Sequence, residues 1–221
     1  MIEQFRFDSD ALPPHEAFDA YRRLYGLGSD VERGERPFSA RVRAIRLDGL
    51  LLYERRLDGV VHSRARRAGQ DQFDHFALHL VLAGTLEGSA QSRFERAGPG
   101  DLVLADALRA SCTEAKELHV LTASVPRSTI AAACGPVDQL HGRIVSAPRT
   151  HLLGDVMQST VRNADSFEGG ALPNLRRAFQ ELLFATLADL TSAAPTMLRV
   201  DVARRAAAGG GNAHPPGGRG P

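Results

Sequence analysis

The sequence predicts a mainly β fold with α: a jelly-roll or small β-barrel followed by an α-helical hairpin. Three observations carry this expectation. After Asp74, every second residue to Leu82 (Phe76, Leu78, Leu80, Leu82) is large and apolar, the period of one strand face. Turn chemistry recurs at Asp48-Gly49, at Asp58-Gly59 and at Gly98-Pro99-Gly100-Asp101, where glycine supplies positive φ and proline presets a reversal. Past residue 126 the period changes: Leu175, Phe179, Leu182, Leu183, Thr186, Leu187 and Leu190 recur at helical spacing.

Taken in order, residues 1–12 read as an extended lead-in. Pro13-Pro14 opens a helix, because N–H groups of a first turn lack partners in any case. Ala17, Phe18, Tyr21, Leu24 and Tyr25 form its apolar stripe, and Gly26 ends it. A charged loop over 28–37 leads to three strands, 39–47, 50–57 and 60–67, joined as hairpins at the two Asp-Gly pairs. After the alternating stretch, Gly84 and Gly88 bracket a turn. A short strand over 91–96, the Pro-Gly-Asp turn, a strand over 102–105, a loop over 106–115 and a strand over 118–125 follow. Seven to nine strands is the number a small barrel or jelly roll needs. A short helix at 130–133 stops at Gly135-Pro136, and a second helix from about Arg149 carries Leu152, Leu153, Val156, Met157 and Val161. Its apolar face and that of the last helix must be buried on the barrel, on each other or on a second subunit.

Composition narrows the class. The 221 residues carry a net charge of +1, so no strong field marks a nucleic-acid surface. Lys116 is the single lysine among 27 basic residues. Cys112 and Cys134 read as reduced thiols of a cytoplasmic protein. No run approaches the roughly 20 apolar residues that span a bilayer, and MIEQFRFDSD is no signal peptide, so a soluble chain without a membrane partner is expected. The glycine- and proline-rich stretch 208–221 predicts a disordered tail. The folded unit is then 1–207, with the barrel at about 38–126 and the helices at about 149–190.

The pattern Asp74-x-Phe76-x-Leu78-x-Leu80-x-Leu82-x-Gly84, followed by Gly98-Pro99-Gly100-Asp101-Leu102-Val103-Leu104 and by Val125-Pro126-Arg127, resembles the N-terminal effector-binding and dimerisation domain of AraC-type transcription regulators. The likeness runs from about Phe5 to about Leu190. It implies a cupin-like barrel, a small organic effector inside it, and a homodimer formed through the helices. In that family two helix-turn-helix units read DNA. Past Leu190 no stretch has the length and periodicity of a recognition helix. Contact with DNA is therefore expected only through a helix-turn-helix domain absent from this chain, as in a reading frame truncated or shifted just after Arg205.

For an effector pocket the expected lining is Phe76, Leu78, Leu80, Leu102 and Leu104, with Tyr53 and Arg64 as polar contacts. Arg64 and Arg66 alternate on one strand face, and one of them turned inward would pair with an acidic effector. The competing reading is that the apolar five fill a closed core. Phe179, Leu183 and Leu187 are candidates for the seam of a symmetric dimer, with a core role as the alternative. His75 and His79 share the strand face opposite Phe76 and Leu78. Cupin enzymes use an His-x-His pair, a glutamate and a histidine just after the Pro-x-Gly turn. Here the spacing is His-x-x-x-His, Asp101-Leu102-Val103 stands at the last place, and Glu87 and His119 are out of step. No metal or cofactor is expected, the histidines being placed on an outer or partly solvated face. Asp101 is expected to cap its own turn. No nucleophile elbow or phosphate-binding glycine loop is present in the sequence. The expected function is ligand sensing without catalysis. The alternatives are a cupin-type metal-dependent enzyme, such as a dioxygenase or isomerase, and a structural dimer with no ligand.

Overall fold

In the computed structural model, which describes residues 3–26, 28–47, 49–68, 73–90, 94–167 and 169–190, ten strands form one antiparallel sheet. The strands are β1 (Glu3–Asp8), β2 (Asp30–Arg33), β3 (Ser39–Leu47), β4 (Leu50–Asp58) and β5 (Val60–Ser63), then β6 (His75–Ser89), β7 (Arg96–Ala97), β8 (Leu102–Asp106), β9 (Cys112–Pro126) and β10 (Arg143–Val145). Helix α1 (Pro14–Leu24) follows β1, α2 (Arg127–Cys134) follows β9, and α3 (His151–Arg162) and α4 (Leu172–Leu187) come last. No described helix is long and apolar enough to cross a membrane. The stretch 208–221 lies outside the described residues.

The 15-residue strands β6 and β9 pair along their length and form the spine. One half of the sheet runs β1-β3-β4-β9-β6-β8-β10; the other adds β5 and β2 beyond the far half of β9, and β7 beside β6. Among the described residues β1 and β10 do not pair, so the sheet stays open at its ends.

The extended lead-in is a strand, with β1 pairing β3 from Glu3↔Arg46 to Asp8↔Arg41. Two expectations are corrected here. Gly84 and Gly88 bracket no turn, because β6 passes through both. Asp58-Gly59 makes no hairpin, since β4 and β5 both lie along β9, at Leu57↔Leu118 and Val60↔Ala115. What the glycines provide is a bend. Gly59 has φ +58° and Gly84 φ +72°, and a Cβ on either would meet a backbone oxygen at 2.1 Å. Glu117 on β9, at φ 48°, lies against Gly84, and the β6–β9 register shifts around Ala83. Bulges of this kind fold a sheet over on itself. Asp58 pins the bend by accepting from the Gly59 amide (3.0 Å), the Glu117 amide (3.1 Å) and Arg36 Nε (2.8 Å). Burial raises its carboxyl, and these donors more than offset that, leaving it below its ordinary value. Asp101 does cap its turn: its Oδ2 accepts from the Gly98 amide at 3.0 Å, with Gly100 at φ +89°.

Alternation sorts the side chains onto two faces. Phe76, Leu78 and Leu80 of β6 share one with Leu104 and Leu102, which stand opposite Leu78 and Leu80 on β8. α2, α3 and α4 cover this face, and a single buried cluster joins the strand residues to Leu153, Met157 and Val161 of α3 and to Phe179, Leu183 and Leu187 of α4. The three residues expected at a dimer seam are thus buried within one chain. Leu152, counted in the apolar stripe, points outward at 61% exposure.

Candidate ligand cavity

The opposite face of the same strands is packed in part, with Val81, Val103 and Val120 in a second buried cluster, and hollow in part. Period two places His75, Ala77 and His79 of β6 there, with Tyr53, Arg55 and Leu57 of β4, Thr122 and Ser124 of β9, and Ala105 of β8. Register sets them in rows: Thr122 pairs with both Tyr53 and His79, and Ala77 pairs with both Ser124 and Ala105. Small side chains at Ala77, Ala105, Ala115 and Ser124 leave the room that leucines fill on the helix side. The result is a cavity of about 840 Å³, a size that accommodates a small organic ligand. Val42, Leu57, Leu86 and Leu118 give it an apolar wall.

α1 closes one side through an aromatic cluster. Tyr21 is fully buried, its ring 5.6 Å from Phe7, 5.0 Å from Tyr25 and 5.3 Å from Phe38. Tyr25 in turn lies 4.9 Å from the His62 ring. At the mouth, Phe5 (44%), Leu24 (42%) and Phe73 (39%) are large apolar side chains left open to solvent.

The polar groups converge on Arg55. Its Nη2 donates to Thr122 Oγ1 at 2.7 Å and to His79 Nδ1 at 3.3 Å, and its guanidinium also bonds the Tyr25 hydroxyl. Because Nδ1 of His79 accepts, the proton of the neutral ring sits on Nε2. Burial, with the Arg55 charge beside it, pushes His79 well below the usual histidine value and His62 down to about 3. Both imidazoles are therefore neutral at physiological pH. Tyr53 and Tyr21 are raised above the usual phenol value, first by burial. Arg64 donates from Nη2 to the Ala107 carbonyl at 3.0 Å.

Of the expected pocket residues, Tyr53 and Arg64 line this cavity. Phe76, Leu78, Leu80, Leu102 and Leu104 do not: they lie in the helix-covered core, since the largest side chains go where close packing rewards them. The strand before Arg64 ends at Ser63, so Arg64 and Arg66 do not alternate on a face. His75 and His79, expected on an outer or partly solvated face, line the cavity, and His75 Nδ1 donates to the Phe73 carbonyl at 2.6 Å. Glu87 pairs with Lys116 (2.6 Å) and His119 with Glu54 (2.9 Å), away from the two histidines. Among the described residues no three His, Cys, Asp or Glu side chains gather as a metal site. The residue missed outright is Arg55, although period two from Tyr53 leads straight to it.

No family model matches the sequence, and no curated protein matches it. Among solved structures the chain is similar to the AraC-like transcriptional activator CuxR, with 18% identity and a TM-score of 0.75 over 84% of this chain and 70% of that one. The EutQ protein of Clostridium difficile aligns at 11% identity and TM-score 0.34, over 43% of this chain and 74% of that one. KdgF from Halomonas sp. aligns at 19% and 0.30, over 44% and 88%. The expected mainly β fold with α is present, an antiparallel sheet followed by a pair of packed helices in the arrangement of an AraC-like activator, but the sheet is open where the sequence predicts a closed barrel.

Proposed function

We propose that this chain is the small-molecule sensing part of an AraC-type transcription regulator and catalyses no reaction. One observation carries the reading: a cavity of about 840 Å³ inside a fold shared with an AraC-like activator. The occupant is a small organic effector that favours one conformation of the cavity, because a ligand moves a switch only through unequal affinity for its two states. DNA reading is assigned to helix-turn-helix elements outside residues 3–190, and the work is done in the cytoplasm. Pairing of two copies falls to the outward sides of α3 and α4, where Leu152 is exposed, because Phe179, Leu183 and Leu187 are occupied within the chain. Sedimentation of wild type against Leu152→Glu reads that assignment, and a monomer at all concentrations removes it.

The test of sensing is a thermal-shift screen of small metabolites on wild type and on Ala77→Phe, which fills the hollow. Compounds that bind should raise the melting temperature of wild type and leave the variant unmoved. A screen with no shift, or shifts that persist in the variant, would remove the sensor reading. Stoichiometric iron, zinc or manganese in protein purified without an affinity tag would turn it toward a metal-dependent enzyme.

A further inference from the structure

Resting on the sensor reading, we infer that the effector is a monocarboxylate with an apolar body, its carboxylate held by Arg55 and its body by the wall of Val42, Leu57, Leu86 and Leu118. The argument is one of charge balance. Arginine cannot shed its proton to escape burial. Arg55 lies on the inner face of β4, and its Nε has neither a hydrogen-bond partner nor contact with solvent. Its hydrogen bonds go to Thr122, His79, Tyr25 and Tyr21, all uncharged partner types or held neutral, and the groups bearing most on its charge are the phenols of Tyr25, Tyr21 and Tyr53.

Among the described residues that line the cavity, no carboxylate is available to balance it. Among the described lining residues the cations are Arg23, Arg55 and Arg64, and the one acid is Asp106. Asp106 is committed elsewhere: its carboxylate bonds Arg127 Nη2 and the Leu108 amide (2.9 Å) and lies 3.6 Å from Arg109 Nε. A desolvated cation facing only neutral dipoles is costly, and an anion brought by a ligand offsets that cost with charge-assisted hydrogen bonds.

The apolar part of the wall favours an apolar body behind the anion. Leu57, Leu86, Leu118 and Val42 offer no hydrogen bonds, and the mouth is rimmed by Phe5, Leu24 and Phe73. A polar body laid on that part of the wall would leave groups unpaired, whereas an apolar one packs there at no such cost. A ring or short alkyl chain ending in one carboxylate satisfies both ends. The neutral histidines also fit, since they leave the Arg55 charge without a competing cation at close range.

The experiment uses matched probes: phenylacetate, trans-cinnamate and hexanoate against their primary amides, which keep the shape and lose the charge. Binding is read by calorimetry to wild type, Arg55→Met, Arg55→Lys and Ala77→Phe. At least one acid should bind wild type about tenfold or more tighter than its amide, lose that advantage in Arg55→Met, and recover it only in part in Arg55→Lys, which restores the charge without the planar fork. Circular dichroism of Arg55→Met checks that it is folded. Amides binding as tightly as acids, or acids binding Arg55→Met unchanged, would overturn the carboxylate assignment. If the amides still lost binding in Ala77→Phe, the cavity would remain a sensor site for a neutral effector. Loss of both classes from wild type would defeat the carboxylate, and the metabolite screen then decides separately whether the cavity senses anything.

Discussion

The two sides of β6 are neighbours in sequence and opposites in physics. Phe76, Leu78 and Leu80 face three helices and are packed to near-complete burial; His75, Ala77 and His79, each one residue away, face a cavity of about 840 Å³. The larger side chains stand on the side with no space. A strong apolar period therefore marks the packed face, and the cavity face is written in the residues between: small, polar and easily passed over.

That contrast can be broken from either side. The largest effect is expected on the packed side, where Phe76→Ala should cost about 3–5 kcal/mol by denaturant titration. A loss under about 1 kcal/mol would mean the helices do not close on the strand. At the bend that separates the sheet's halves, Gly84→Ala adds a Cβ 2.1 Å from the Glu117 oxygen at a positive φ. The expected cost is about 2 kcal/mol or more, unlike glycine-to-alanine at an open position such as Gly98.

The cavity side should respond to pH where the packed side does not. His62 is held near 3 by burial and by Arg55, against an ordinary value of about 6.5. The unfolded chain thus takes up a proton that the folded chain refuses, so stability is complete above about pH 6.5 and falls as the pH drops toward 3. Urea midpoints measured from about pH 7 down to about pH 5 should decline, and His62→Phe should flatten the slope. A midpoint independent of pH would contradict a neutral buried imidazole. Arg55→Met, which removes the unbalanced cation, should leave stability equal or raise it by about 1 kcal/mol; a clear loss would show a structural role that the neutral partners conceal. Smallest of all, Leu108→Ala in the exposed turn after β8 should move stability by less than about 0.5 kcal/mol.

Much of the architecture was legible from local chemistry. The expected strand over 39–47 matches β3, that over 50–57 falls one residue short of β4, and the α4 stripe was read almost residue for residue, because both periods are strong there. Asp58-Gly59 misled because the same dipeptide serves a reversal or a bend, and only the position of β9 decides which. Gly84 misled for the same reason: its partner Glu117 is 33 residues away (117 − 84). The cavity was half legible. Tyr53 and Arg64 were found by polarity, whereas Arg55 was hidden in Arg55-Arg56, where one guanidinium turns in and the other is exposed. Which sheet face is hollow depends on where the helices dock, a long-range fact with no local signature.

The docking of α3 has its own consequence. Gly154 sits so near β6 that an added methyl group would lie 2.7 Å from Leu80 Cδ2. A wall one peptide thick thus separates whatever occupies the hollow from the helical layer behind it. Close-packed interiors yield little, so a guest that pushes His79 sideways leans, through the adjoining Leu80, on α3 itself.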